Sequence, residues 1–244
     1  MSIKKWPGAV VSDTPVEPAG AYQNSAASGV WTLEQQAYWE SQGLWPVPGN
    51  TNPDLFIENL FSTFLYNGTG SAQTITNGID LDGEGGLVWI KSRQLTYNHE
   101  LYDTLRGPTW RLSSNSTGQS NDNITGLTSF NSNGFSLGAS STVNYIDYPH
   151  ASWTFRKQPK FFDIVTYTGN GLAGRQIPHN LGSVPGMFII KSISNITGWV
   201  TWHRGLADGG GYGGYLNLET TSAASTGGQM FGTAAKKTDS VITF

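Results

Sequence analysis

Gly86-Leu87-Val88-Trp89-Ile90-Lys91-Ser92 returns as Gly186-Met187-Phe188-Ile189-Ile190-Lys191-Ser192, at an offset of 100 residues held over seven positions. Each copy opens on glycine, runs through apolar residues that are mostly β-branched or aromatic, and closes on Lys-Ser. A run this short and this apolar reads as a β-strand covered on both faces, since an ordinary helix needs more length. The likeness spreads outward. Leu65-Tyr66-Asn67-Gly68 matches Thr166-Tyr167-Thr168-Gly169, Leu101-Tyr102-Asp103 matches Thr201-Trp202-His203, and Arg106-Gly107 matches Arg204-Gly205. A period of about a hundred residues is domain-sized, so the chain reads as two tandem copies of one fold and not as a solenoid.

Composition agrees with an all-β chain. Charged residues are 13% of the 244, about half the usual share, while glycine is abundant at 31 residues. Nine Trp, ten Tyr and eleven Phe supply ample apolar surface, which argues against disorder. A net charge of −3 gives no electrostatic footprint for nucleic acid. The chain has no cysteine, hence no disulfide or thiol chemistry. Met1-Ser2-Ile3-Lys4-Lys5 leads straight into Trp6-Pro7-Gly8, unlike a signal peptide, and no apolar run reaches the length of a membrane span.

Residues 1–54 hold six of the eleven prolines: Pro7, Pro15, Pro18, Pro46, Pro48 and Pro53. Proline fixes φ and removes a donor, so this segment is expected to run extended as an N-terminal docking arm. One short helix interrupts it over residues 33–42. Thr32 caps it, Gln35 completes a capping box, and Gly43 supplies the stop. Trp31, Tyr38, Trp39, Leu44 and Trp45 crowd around this helix, more aromatic surface than about ten helical residues bury alone. Trp31, Tyr38, Trp39 and Trp45 are therefore the candidate docking residues. They are expected to pack either on another chain or back onto the β domain as a lid.

Residues 55–158 form the first expected β unit. Its strands are read at Leu60–Tyr66, Leu87–Lys91, Glu100–Thr104, Trp110–Leu112, Ser129–Phe130, Phe135–Leu137 and Ala151–Phe155. Asn133-Gly134 signals a hairpin. Ala151, Trp153 and Phe155 alternate with Ser152 and Thr154, the mark of a half-buried strand. Residues 159–244 form the second unit, opening with Phe161–Tyr167 and continuing through Trp199–His203, Tyr215–Leu218 and Ser240–Phe244. By the repeat, it stops where Leu127–Phe135 stands in the first copy. The counterpart of the Ala151–Phe155 strand is missing, as expected for part of something longer. Short strands with glycine-rich turns and almost no helix predict tandem jelly-roll-like β-sandwiches.

Asn59–Gly68, Gly86–Arg93, Leu127–Gly138, Ala151–Lys157 and Phe161–Ser194 together resemble domains that recur in tandem in tailed-phage virion proteins, notably of cyanophages and related marine phages. These are similar to concanavalin A-like sandwiches. Ser28–Glu34 followed by Gly43-Leu44-Trp45-Pro46 resembles a short element of phage tail and fibre proteins. The resemblance covers about residues 59–244. It implies a setting, the virion, and carries no catalytic residues across.

Motifs with possible chemistry weigh lightly. Gly169-Asn170-Gly171-Leu172-Ala173-Gly174 matches GxGxxG, but Pro178 follows where a phosphate-binding helix must begin. His99-Glu100 lacks a second histidine at the zinc-protease spacing, and His150, His179 and His203 are scattered. His179-Asn180-Leu181-Gly182 reads as turn chemistry. Asp80, Asp82 and Glu84 could reach a calcium ion but lack EF-hand spacing, and reading them as solvated is simpler. Gly209–Tyr215 is a tyrosine-bearing glycine loop, read as a hairpin tip.

The resemblance thus implies a virion protein, and the motifs lead us to expect no enzyme activity, cofactor or metal. It is made in the bacterial host cytoplasm and assembled into the phage particle. The expected part is a homotrimeric tail fibre or tail-attached appendage for host attachment, with other virion proteins as partners. A capsid decoration protein and a lectin-like module for host surface glycan are the alternatives. Neither nucleic acid nor membrane is an expected partner.

Overall fold

A computed structural model describes residues 31–42, 44–45, 56–206, 214–225 and 237–244. The prolines of residues 1–54, Gly43 and most of the Gly209–Tyr215 loop lie outside them. The described chain is mostly antiparallel β. Its contacts divide it between Phe56 and Ile57, and both copies of the repeat fall in one compact unit.

In the first copy, β1 (Phe61–Asn67), β3 (Gly86–Ser92), β4 (Glu100–Asp103), β5 (Trp110–Ser113), β6 (Asn121–Asp122) and β9 (Pro149–Arg156) form a six-stranded sheet in the order β1-β9-β3-β4-β5-β6. A second sheet has the order β2-β8-β7, from β2 (Gln73–Thr76), β7 (Leu127–Asn131) and β8 (Gly134–Leu137). β2 and β6 escaped the sequence reading because Gln73–Thr76 and Asn121–Asp122 are short and mostly polar. Asn131 pairs with Gly134 across the expected hairpin. Gly134 has φ 136°, and an added Cβ would lie 2.0 Å from the Ile75 carbonyl oxygen, so glycine is required there.

The two sheets share a core. Tyr66, Val88, Ile90 and Tyr102 from the large sheet meet Ile75, Leu127, Phe135 and Leu137 from the small one. Period-two alternation aims Val88 and Ile90 inward, which leaves Leu87 and Trp89 outward. That outward face is covered as well. Leu101, Leu112, Leu87 and Trp89 pack against Trp199, Ile189 and Leu218 of the second copy. In the first copy the repeated strand is covered on both faces, and the second covering packs the two copies together in one unit.

β9 forms where the alternation predicts a strand, and the structure decides which face is inward. His150, Ser152 and Thr154 are the fully buried positions, while Trp153 and Phe155 are only half-buried. The small hydroxyl residues stand opposite Ile90 and Val88, where space is short, and Thr154 accepts a 2.8 Å hydrogen bond from Asn77. The aromatics instead pack on the outer face, Phe155 with Phe61 at 4.8 Å and Trp153 with Trp89 at 6.2 Å between centroids.

The second copy repeats these ladders register for register. β11 (Met187–Ile190) pairs with β12 (Val200–His203), so that Ile189 faces Thr201 as Trp89 faces Leu101. β13 (Leu216–Asn217) pairs with β12 as β5 pairs with β4. β10 (Gln176–Pro178) pairs with β14 (Val241–Thr243), setting Ile177 opposite Ile242 as Ile75 stands opposite Phe135. A Lys237–Ile242 bridge repeats the place of the Phe130–Phe135 pair. Two further corrections concern this copy. The expected opening strand, Phe161–Tyr167, forms no ladder, because the strand its counterpart β1 pairs with is β9. A strand covered on both faces is expected to bury Trp89 and Phe188, yet both are half-buried; Phe188 stands at the position of Val88, as the repeat aligns it.

Candidate docking surface

The four candidate residues gather around α1 (Leu33–Ser41). Its start is fixed by the capping box: Thr32 Oγ1 accepts from the Gln35 N–H at 3.2 Å, and Gln35 Oε1 accepts from the Thr32 N–H at 2.9 Å. At the other end the chain turns back, and the Leu44 and Trp45 N–H groups donate to the Trp39 carbonyl at 3.1 and 3.2 Å. This return brings Trp45 onto Trp31, edge to face, with centroids 5.3 Å apart. Tyr38 meets Trp39 in a second edge-to-face pair at 5.2 Å. The folding-back is local, yet no residue of α1 is buried; Leu33 is 85% exposed and Tyr38 58%. A nine-residue helix with this much exposed apolar surface is marginal in water by itself.

The other sequence candidates are placed as follows. Asp80 Oδ1 accepts from the Gly83 N–H at 2.9 Å, a turn device, and Asp82 and Glu84 are exposed. Among the described residues no group of three His, Asp or Glu side chains converges as a metal site does. The GxGxxG stretch is a loop with Gly171 and Gly174 at positive φ, followed by β10 and not by a helix. His179 Nδ1 accepts from the Leu181 N–H at 3.3 Å, as turn chemistry does. His99 Nδ1 accepts from the Trp89 indole at 2.9 Å; burial, then the Lys91 charge, lowers its pKa.

Two polar arrangements were not legible in the sequence, because their members are far apart along the chain. Glu100 is 1% exposed and pairs with Arg111 at 3.1 Å. Burial raises its pKa, opposed by the Arg111 charge and the Ser113 hydroxyl. Arg111 is also fixed by Asn121 Oδ1 at 2.7 Å, so the pair is a satisfied structural bridge at the sheet edge. Elsewhere, Tyr66, Asn67, Arg93 and His150 line a cavity of about 190 Å³. His150 is fully buried, stacks on Tyr66, and lies with Nδ1 2.9 Å from the Tyr148 carbonyl oxygen. Its Nε2 finds no hydrogen-bond partner among the described residues. A broader cavity of about 380 Å³ is lined by Asp82, Glu84, Thr104, Phe130 and Lys157. Among the described residues no helix is long and apolar enough to cross a membrane.

A β-rich chain built from two matching copies of one sheet system defines the class. Residues 58–244 match the family described as a domain of unknown function, DUF7483, and the chain belongs to that family. One family match spans both copies, in keeping with their packing as a single unit. Neither a curated protein nor a solved structure matches the chain.

Proposed function

We propose that this is a structural protein of a tailed-phage virion, most simply a homotrimeric tail fibre or tail-attached appendage. In this reading the N-terminal segment docks on the particle, and tandem jelly-roll-like, concanavalin A-like sandwiches project toward the host. It acts by binding and positioning, not by catalysis. The observation that carries the proposal is the aromatic cluster of Trp31, Tyr38, Trp39 and Trp45 around a helix with no buried residue. Tryptophan and tyrosine in such a setting are the residue types that anchor interface centres. The resemblance of residues 59–244 to tandem phage domains supplies the setting. A second reading, recognition of host glycan, draws support from the 380 Å³ cavity, whose carboxylates, hydroxyl, ammonium and single aromatic ring suit sugar hydroxyls.

The test is incorporation. Antibody against residues 57–244 is expected to label tails of purified particles by electron microscopy, and head labelling would assign the protein to the capsid instead. Trp39→Ala is expected to abolish incorporation while the melting temperature of the isolated protein stays nearly unchanged. Normal incorporation together with a large fall in melting temperature would mean that the helix is a lid and not a dock.

A further inference from the structure

We propose that Asn170-Gly171, in the loop of the GxGxxG stretch, is a site of spontaneous covalent modification, where the asparagine amide is lost as ammonia and an aspartyl or isoaspartyl residue is left. The Gly171 nitrogen, losing its proton, attacks Asn170 Cγ. The Cγ–Nδ2 bond breaks, and Nδ2 leaves as ammonia with that proton, so that a five-membered imide remains. Water then adds to one of the two imide carbonyls and opens the ring. Opening on one side gives aspartate; opening on the other gives isoaspartate, in which the chain runs through the former side-chain carbonyl. Solvent water is the only co-reactant. Glycine favours the attack because it has no Cβ to hinder ring closure.

The chain contains this dipeptide four times: Asn67-Gly68, Asn77-Gly78, Asn133-Gly134 and Asn170-Gly171. The local chemistry is the same in all four, so the fold decides among them. At the first, the attacking nitrogen is engaged: the Gly68 N–H donates to the Tyr148 carbonyl at 2.9 Å, and Asn67 is laddered to Pro149. At the second, the amide is held at both ends. Asn77 Nδ2 donates to Thr154 Oγ1 at 2.8 Å, and its Oδ1 accepts from the Ile79 N–H at 3.2 Å. At the third, the backbone is wedged in place. Gly134 pairs with Asn131 on one side and Thr76 on the other, beside the Ile75 carbonyl. Asn170 differs on every count. Residues 165–176 are all exposed. Its side chain accepts from the Leu172 N–H at 3.1 Å, and neither its Nδ2 nor the Gly171 N–H has a partner among the described residues. A Cβ on Gly169, Gly171 or Gly174 would meet nothing within 4 Å, so the backbone turns toward the ring geometry without displacing a neighbour. The other three sites must first open locally, at a cost set by the contacts that hold them. Conversion adds one negative charge to a chain of net charge −3, in the loop that leads into β10.

The test is peptide mass mapping of the full chain after prolonged incubation in mildly alkaline buffer, with isoaspartate read by enzymatic methyl labelling. Conversion at Asn170 is expected to run ahead of that at Asn67, Asn77 and Asn133 by about tenfold or more. In denaturant the four rates are expected to converge, because the contacts that hold the other three are gone. Asn170→Gln is expected to remove the leading product, since glutamine would have to close a larger ring, and to leave the melting temperature unchanged. Equal conversion at the four sites in the folded chain, or a lead by any of the other three, would overturn the proposal. So would a lead of Asn170 that persists undiminished in denaturant, because the fold would then not be what selects it.

Discussion

Tyr66 and Tyr167 occupy the same place in the two copies and live in different surroundings. Tyr66 is 8% exposed, donates its hydroxyl to the Val143 carbonyl at 2.7 Å, and stacks on His150. Tyr167 is 42% exposed and lies beside Phe244 at 6.1 Å. The difference extends to the whole interior. The first copy holds an unbroken core of eleven buried residues, whereas the buried hydrophobics of the second are Ile177, Trp199 and Trp202 among the described residues. The ladders nevertheless match register for register. Hairpin registers follow from neighbouring sequence and turn geometry, so they form in both copies. The first copy's core is also closed by β9, which returns from far along the chain to lie between β1 and β3. Correct local pairing is thus compatible with an interior that is barely closed.

The largest expected contrast is in the cores. Phe135→Ala, at a fully buried position, is expected to cost about 3–5 kcal/mol by chemical denaturation. Ile242→Ala, at the matching but half-buried position, is expected to cost about 1 kcal/mol. Equal losses would break the comparison, because they would mean that the second copy has a core of its own.

A smaller effect probes where the copies agree. Lys91 Nζ donates to the Ser92 and Leu95 carbonyls at 2.7 and 2.8 Å, and Lys191 Nζ to those of Ser192 and Asn195 at 2.9 and 3.4 Å. Ser92 and Ser192 Oγ each accept from the N–H three residues on, at 3.2 Å. The Lys-Ser end of the repeated strand is therefore a loop clamp, and desolvation lowers the pKa of both lysines. Replacing either lysine with methionine is expected to cost about 1–2 kcal/mol. Lys191 additionally reaches the Thr117 carbonyl of the first copy at 3.2 Å. Lys191→Met is therefore expected to speed exchange of the Thr197 amide, which also bonds Thr117, where Lys91→Met leaves it unchanged.

The smallest effect is a pH dependence present in the first copy alone. Burial lowers the pKa of His150 from 6.5, outweighing the Tyr148 carbonyl, which raises it, and the Lys91 charge lowers it further. The folded state then binds a proton less readily than the unfolded chain. Stability from the neutral ring is fully present above about pH 6.5 and is lost as pH falls through the lower folded value. Denaturation midpoints measured from pH 7.5 down to 5 are expected to fall more steeply for the natural protein than for His150→Gln. Parallel curves would show that His150 does not sense the medium.

The sequence alone determined the repeat, the strand at each copy's centre, the Asn133-Gly134 hairpin and the capped helix with its aromatics. All of these rest on contacts within a few residues, where pattern and turn chemistry are decisive. It found β9 but not its inward face, because alternation says which residues share a face and not which face is buried. That is set by the space beside Val88 and Ile90, on a strand far away in sequence. It also expected a strand at Phe161–Tyr167, whose composition is right but whose ladder needs a neighbour. Tertiary structure alone decided the Glu100–Arg111 bridge, the orphaned His150 nitrogen and the covering of one sheet by the second copy. Each depends on groups brought together across many residues, and burial, unlike periodicity, leaves no mark on any one stretch of chain.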